Sequence, residues 1–199
     1  LGFKSLAVNL SDIAAMGGRP LASYLSIGLP KDMDVEWMEE FMRGYKDLSE
    51  DEDVPLLGGD TTSSHGPIVI NVGVTGEIHN QHIKKRSDAR AGDILCLSGE
   101  IGDSAGGLQV ILDGLPESQI ASQLLDQHLT PYPHVSEGLW LAQHQEVHAM
   151  IDVSDGIGSD LQHILKASQL KGYIELEKLP ISAELRQQSG IYEWNAMEM

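Results

Sequence analysis

Four carboxylates stand where an acidic side chain can do chemistry rather than only solvate a surface. Asp12 falls on one helical face with Ser5 and Asn9, at i, i+4 and i+7 spacing, turned away from Leu6, Leu10 and Ile13. That face could hold a hydrated Mg²⁺, and it could equally be ordinary surface. Asp60 follows Gly58-Gly59 directly after the apolar run at residues 54–57. A carboxylate at the carboxyl end of a strand is a favoured ligand position, and glycines beside it let a ligand approach the backbone; a plain turn is the alternative. Asp152-Val153-Ser154-Asp155-Gly156 repeats the pattern of strand, acid, hydroxyl, acid, glycine and helix. There both acids could project past a strand end, while a Ser-Asp cap on the next helix is the structural reading. Hard oxygen donors of this kind suit Mg²⁺, which keeps several waters and completes its shell with substrate phosphates.

Other candidates are weaker. The run Gly99-Glu100-Ile101-Gly102-Asp103-Ser104-Ala105-Gly106-Gly107 could cradle an anion on backbone N–H groups, but tight helix packing explains its glycines as well. It lacks the Gly-Lys-Ser/Thr ending of a P-loop. Arg86 is the best-placed cation for a phosphate, in a segment that also reads as a solvated linker. His144 and His148 have i, i+4 spacing without an evident third ligand, and Ser104 and Ser154 have no triad context.

The elements that must position these residues follow from periodicity. A helix is expected over residues 4–16, a strand over 22–29, and a second helix capped by Asp34 with Met38, Phe41, Met42, Tyr45 and Leu48 on one face. Residues 54–57 read as a short strand, and Ile68, Ile70, Val72 and Val74 alternate as the clearest strand in the chain. A polar, basic stretch at 84–93 marks a boundary near residue 90. Beyond it, strands are expected at 94–98, 150–153 and 173–176, with helices near 117–128, 134–144 and 157–168. The fold class is α/β (α+β mixed) in two domains, 1–90 and 91–199.

The net charge of −17, from 30 acids against 13 bases, argues against nucleic acid or an anionic membrane as a partner. Divalent cations would reconcile that charge with a phosphorylated ligand. No apolar run approaches the length of about 20 residues needed to span a bilayer, and the start does not read as a secretory signal. The single cysteine, Cys96, lies in an apolar run and is expected to be buried; a reducing cytoplasm is the natural compartment.

Taken together, these segments resemble the thiamine-monophosphate kinase family of the aminoimidazole-ribotide-synthetase-like superfamily. The matching stretches are residues 4–17, with Asn9-Leu10-Ser11-Asp12-Ile13-Ala14-Ala15-Met16-Gly17; Leu57-Gly58-Gly59-Asp60-Thr61-Thr62; Lys85-Arg86-Ser87 with Ala91-Gly92-Asp93; and Ile151-Asp152-Val153-Ser154-Asp155-Gly156. The resemblance implies Mg-dependent transfer of the ATP γ-phosphoryl group to thiamine monophosphate, giving thiamine diphosphate and ADP. It implies several Mg²⁺ ions on Asp12, Asp60, Asp152 and Asp155, with Asp12 and Asp155 catalytic. ATP contacts would come from Gly59, Asp60, Arg86 and Ser154. It also implies a homodimer formed through the N-terminal domain, to which the strand at 68–74 is a candidate contributor.

The chain departs from the family pattern in places. Thr130 and His134 stand where arginines are common. The family's Gly-Asp-Asp and Ser-Thr-Asp segments would precede Leu1, and its Gly-Gly-Glu-Asp-Tyr-Glu segment would follow Met199. The expectation is therefore a chain incomplete at both ends, with an incomplete N-terminal domain, weakly active or inactive by itself. A sister synthetase of the superfamily, such as selenophosphate synthetase, is the alternative enzyme; a non-catalytic Mg-nucleotide-binding protein is the alternative class.

Overall fold

In chain order the elements are α1 (Gly2–Ala15), β1 (Arg19–Pro30), α2 (Val35–Asp51), β2 (Leu56–Ser64), β3 (Val69–Glu77), α3 (Asp103–Leu112), α4 (Gln119–Leu129), α5 (Val135–Ala142), α6 (Ile157–Ser168) and α7 (Ala183–Tyr192), with 3₁₀ turns at Asn80–His82 and Leu176–Lys178. The structure is a computed structural model that describes residues 1–197 and 199. It divides into two compact units: Leu1–Lys84 with Pro133–Asp152, and Lys85–Tyr132 with Val153–Met199.

In the first unit, a three-stranded sheet of order β2-β1-β3 carries α1 and α2 on one face. β1 pairs parallel with β2 and antiparallel with β3. The apolar stripes make the core: Leu6, Ala7, Leu10 and Ala14 from α1; Phe41, Tyr45 and Leu48 from α2; Leu25 and Ile27 from β1. Ile70, Val72 and Val74 of β3 pack against it, as their alternation predicts. Asp34 caps α2, its side chain accepting from Glu36 N–H. Helix α5 joins this unit by lying close to the end of α1: a Cβ on Gly138 would sit 2.5 Å from the Ala14 carbonyl oxygen.

One residue anchors the chain just after α5. Lys84 is 6% exposed, and its ammonium donates to the carbonyls of His144 (2.8 Å) and Val147 (2.7 Å). Neither partner is an acid, so the bonds themselves must offset the cost of burying the charge. Lys84→Met, which keeps the stem and removes the donors, is expected to cost this unit about 2–3 kcal/mol. The measurement is the urea midpoint of the 199-residue chain, followed by Trp37 and Trp140 fluorescence after Trp194→Phe; an unmoved midpoint would mean that the clamp contributes nothing.

The second unit is helical among its described residues. Leu124, Ile181 and Leu185 form its core, with Ile120, Leu179, Ala196 and Met199 against them. Helices α3 and α4 approach so closely that a Cβ on Gly107 would sit 2.1 Å from the Leu124 carbonyl oxygen. At Gly106 a Cβ would meet Leu185 Cδ1 at 2.9 Å. Helix packing thus accounts for these two glycines of the 99–107 run.

Several expectations fail here. Residues 94–98, 150–153 and 173–176 are not strands: no ladder partner stands beside them among the described residues, and Ile94 is 86% and Tyr173 84% exposed. An apolar run becomes a strand only where a neighbour takes up its backbone N–H and C=O groups. Cys96, in the first of these runs, is exposed rather than buried. β2 does not stop at residue 57 but continues to Ser64, so Gly58 to Thr62 lie within the strand instead of in a turn after it.

Asp103, the first residue of α3, accepts a 2.6 Å hydrogen bond from Ser182 Oγ, and Ser182 in turn caps α7 by accepting from Leu185 N–H. Burial raises the Asp103 carboxyl above its ordinary value; the Ser182 bond opposes this and Glu184 adds to it. A raised folded-state value means that this group's stabilising share is complete below the unfolded value and is lost as pH rises through the folded one. Asp103→Asn keeps the acceptor and removes the titration, so it is expected to flatten the fall of the second unit's stability from about pH 4 upward. Thermal melts across pH check this; an unchanged slope would remove Asp103 as its source.

Candidate active site

Asp60 owes its position to an irregularity in β2. The register runs Ser23↔Leu56 and then Tyr24↔Gly58, so one residue of β2 is skipped. Leu56 therefore packs toward the core, while Gly58, Asp60 and Thr62 pair with Tyr24, Ser26 and Gly28 on the sheet face away from α1 and α2. On the other side of β1, Asn71 pairs with Ser26. The result is a polar row, Asp60, Ser26 and Asn71, across all three strands.

That row lies in an open groove of about 400 Å³, which Thr62, Ser63, Ser64 and His65 also line. Ser64 ties down its rim, donating to the Pro67 carbonyl at 2.7 Å and accepting from Gly66 N–H at 3.1 Å. Asp60 is exposed, so its carboxylate is open to solvent and could meet a hydrated cation. Ser26 and Asn71 had no signal in the sequence, because only the strand register brings them to Asp60; His65, just past the end of β2, had none either.

The two glycines before Asp60 have different jobs. A Cβ on Gly59 would lie 1.7 Å from the Leu25 carbonyl oxygen, whereas one on Gly58 would meet nothing within 4 Å. Gly59 is glycine for the sake of the β1–β2 ladder, and the space for a ligand is at Gly58.

Asp12 is exposed on α1. On the same helix Asn9 donates to the Ser5 carbonyl, and Ser11 donates to Asp152 Oδ2 at 3.2 Å. The structure thus brings Asp152 to α1, one residue from Asp12 in sequence. Of the predicted residues, Asp12, Gly59, Asp60 and Asp152 belong to the first unit, and Arg86, Ser154 and Asp155 to the second.

In the second unit Ser154 and Asp155 are exposed, and their backbone N–H groups both donate to Asp160 Oδ2, at 2.9 and 3.1 Å. Asp160 is 4% exposed and sits in the first turn of α6. It reaches back to stiffen the loop, which frees the side chains of Ser154 and Asp155 to point outward. The expected Ser-Asp cap is absent: Gly156 holds the cap position with no side-chain bond. Arg86 is exposed, and the loop carrying it is pinned by Ser168, whose hydroxyl donates to the Arg86 carbonyl and accepts from Ala89 N–H. His144 and His148 lie beyond the end of α5, so their spacing does not place them on one helical face.

Among the described residues no three of His, Cys, Asp or Glu converge into a metal cage. The donor chemistry still fits Mg²⁺, which needs one or two carboxylates and takes its other ligands from water and phosphate. No helix among the described residues is long and apolar enough to cross a membrane.

The profile of the AIR synthase related protein, N-terminal domain, matches residues 1–78, and that of the C-terminal domain matches residues 90–199. A thiamine-monophosphate kinase of Buchnera aphidicola (subsp. Schizaphis graminum) is 40% identical over 184 residues, 92% of this chain and 55% of its own length. The thiamine-monophosphate kinase of Escherichia coli K12 is 40% identical over 187 residues, 93% of this chain and 56% of its own. The chain thus spans about half the length of these relatives. Among solved structures, AaThiL complexed with AMPPCP and TMP superposes with a TM-score of 0.93 at 33% identity, over 99% of this chain and 62% of that one. Thiamine-monophosphate kinase from Stenotrophomonas maltophilia K279a gives 0.90 at 36% identity, over 99% of this chain and 62% of its own. The protein belongs to the AIR synthase related family, with thiamine-monophosphate kinases as its similar members.

Proposed function

We propose that the whole protein transfers the γ-phosphoryl group of ATP to thiamine monophosphate in a Mg²⁺-dependent reaction. The observation that carries this reading is the likeness, over 99% of the chain, to a protein complexed with AMPPCP, an ATP analogue, and TMP, read as thiamine monophosphate. An oxygen of the acceptor phosphate attacks the γ-phosphorus, the bond from γ-phosphorus to the β–γ bridging oxygen breaks, and ADP leaves. A phosphate oxygen is already a competent nucleophile, so the protein's work is positioning and charge neutralisation rather than proton removal.

The residues divide accordingly. Asp12, Asp60, Asp152 and Asp155 would hold the metal, with Asp12 and Asp155 nearest the chemistry. Bound Mg²⁺ supplies the positive charge that lets an acidic protein accept two polyanions. Ser11 donates to the Asp152 carboxylate, and Asp160 holds the backbone of the loop that carries Asp155; neither would itself be a ligand. Asp60, Arg86 and Ser154 would contact ATP, and Gly59 would contribute only backbone. A homodimer through the first domain, a division into domains near residue 90 and a cytoplasmic location belong to the same proposal.

Coupled ADP release by the full-length protein, with Mg²⁺ and ATP present and thiamine monophosphate added last, tests it. Release that depends on the acceptor is the expected result. Binding of Mg·ATP by a folded protein without acceptor-dependent release would move the assignment to a sister synthetase or a binding protein.

A further inference from the structure

We propose that His79 and His82 form a chelate for one borderline transition-metal ion, such as Zn²⁺, in a cavity that shares no lining residue with the Asp60 groove. The inference does not rest on the kinase reading. Where β3 ends at Glu77 the chain enters the 3₁₀ turn Asn80–His82, with His79 as its N-cap. Side chains three apart in 3₁₀ geometry lie over one another, which brings the two imidazoles side by side. Their ring centroids are 5.2 Å apart and their planes are inclined at 49°. Two imidazoles on one tetrahedral ion, with metal–nitrogen bonds of about 2.0–2.1 Å, place their centroids roughly 5 Å apart. The centroid separation of the pair matches that value.

The surroundings suit it. Both residues line a cavity of about 390 Å³, which leaves room for the waters that would complete the shell. Glu77 lines the same cavity and supplies negative charge. Arg19, its cross-strand partner, lines it too and offsets part of that charge. His79 Nδ1 accepts from Gln81 N–H at 3.4 Å, a long bond that coordination gives up at little cost. Imidazole donors select such an ion over Mg²⁺, which prefers oxygen.

Isothermal titration of the 199-residue chain with Zn²⁺, in excess Mg²⁺ to occupy carboxylate sites, tests the proposal. One site with a dissociation constant of roughly 10 µM is expected, far weaker than a four-ligand structural site. His79→Ala and His82→Ala should each weaken it by about tenfold or more. His79 is exposed and His82 half-buried in a short turn, and circular dichroism is to check that the variants fold. His163→Ala, on the exposed side of α6, should change nothing. Co²⁺ bound in place of Zn²⁺ should give the intense visible absorption of a tetrahedral site, and lose it in His82→Ala. No Zn²⁺ site tighter than about 1 mM, or a site indifferent to His82→Ala, would overturn the proposal.

Discussion

Alanine at Gly59 is expected to destabilise the first unit by more than about 4 kcal/mol, whereas alanine at Gly58 is expected to change its stability by less than about 1 kcal/mol. The two residues are adjacent and chemically identical, so the difference belongs to their places in the strand, where Gly59 alone of the two has a positive φ. A Cβ on Gly59 would lie 1.7 Å from the Leu25 carbonyl oxygen and 2.5 Å from its carbon, and at Gly58 there is open space. Leu25 cannot give way, because its backbone is the middle of a three-stranded sheet, paired with Gly59 on one side and Val72 on the other. Its side chain is 7% exposed in the core. The clash is relieved only if β2 peels from β1, and Asp60 would leave its place beside Ser26 with it. Against a typical total of about 5–15 kcal/mol, a loss of this size removes much of the folded population. Urea and thermal unfolding of both variants of the 199-residue chain decide the matter. Equal behaviour of the pair would mean that the close approach at Gly59 is not a constraint.

Asp12→Asn in the full-length protein is expected to lower acceptor-dependent ADP release by at least about 100-fold while leaving the fold intact. The reason is a division of labour on α1. Leu6 and Leu10 are fully buried and hold the helix on the sheet, whereas Asp12 is exposed on another face and has no part in the core. Replacing its carboxylate by a carboxamide keeps size and shape and removes the negative charge that would attract a Mg²⁺ ion. Raising Mg²⁺ should recover part of the loss, a response that a misfolded variant would not show. Asp32→Asn, in the exposed turn before α2, removes an equal charge elsewhere and should leave turnover unchanged. Full activity in Asp12→Asn would take Asp12 out of the chemistry and leave Asp60 and Asp152 to be tested in the same way.

How much of this was legible in the residues follows from the range of the interactions involved. The stripes of α1 and α2, the Asp34 cap, the alternation of β3 and the bounds of α6 all depend on neighbours within a few positions, and each stands in the structure where periodicity places it. The candidate carboxylates were visible for a related reason, since motif, glycine and acid lie next to one another in the chain. What only the tertiary structure decided depends on partners far apart in sequence. Whether residues 94–98, 150–153 and 173–176 become strands turns on a neighbouring strand, and none is beside them among the described residues. Register put Ser26 and Asn71 on either side of one row with Asp60, and divided Gly59 from Gly58. Lys84 became a buried clamp only because the chain returns to the first unit at Pro133–Asp152. Local patterns are carried by the energetics of single elements; backbone pairing and close approach are properties of two elements at once, and no one segment contains them.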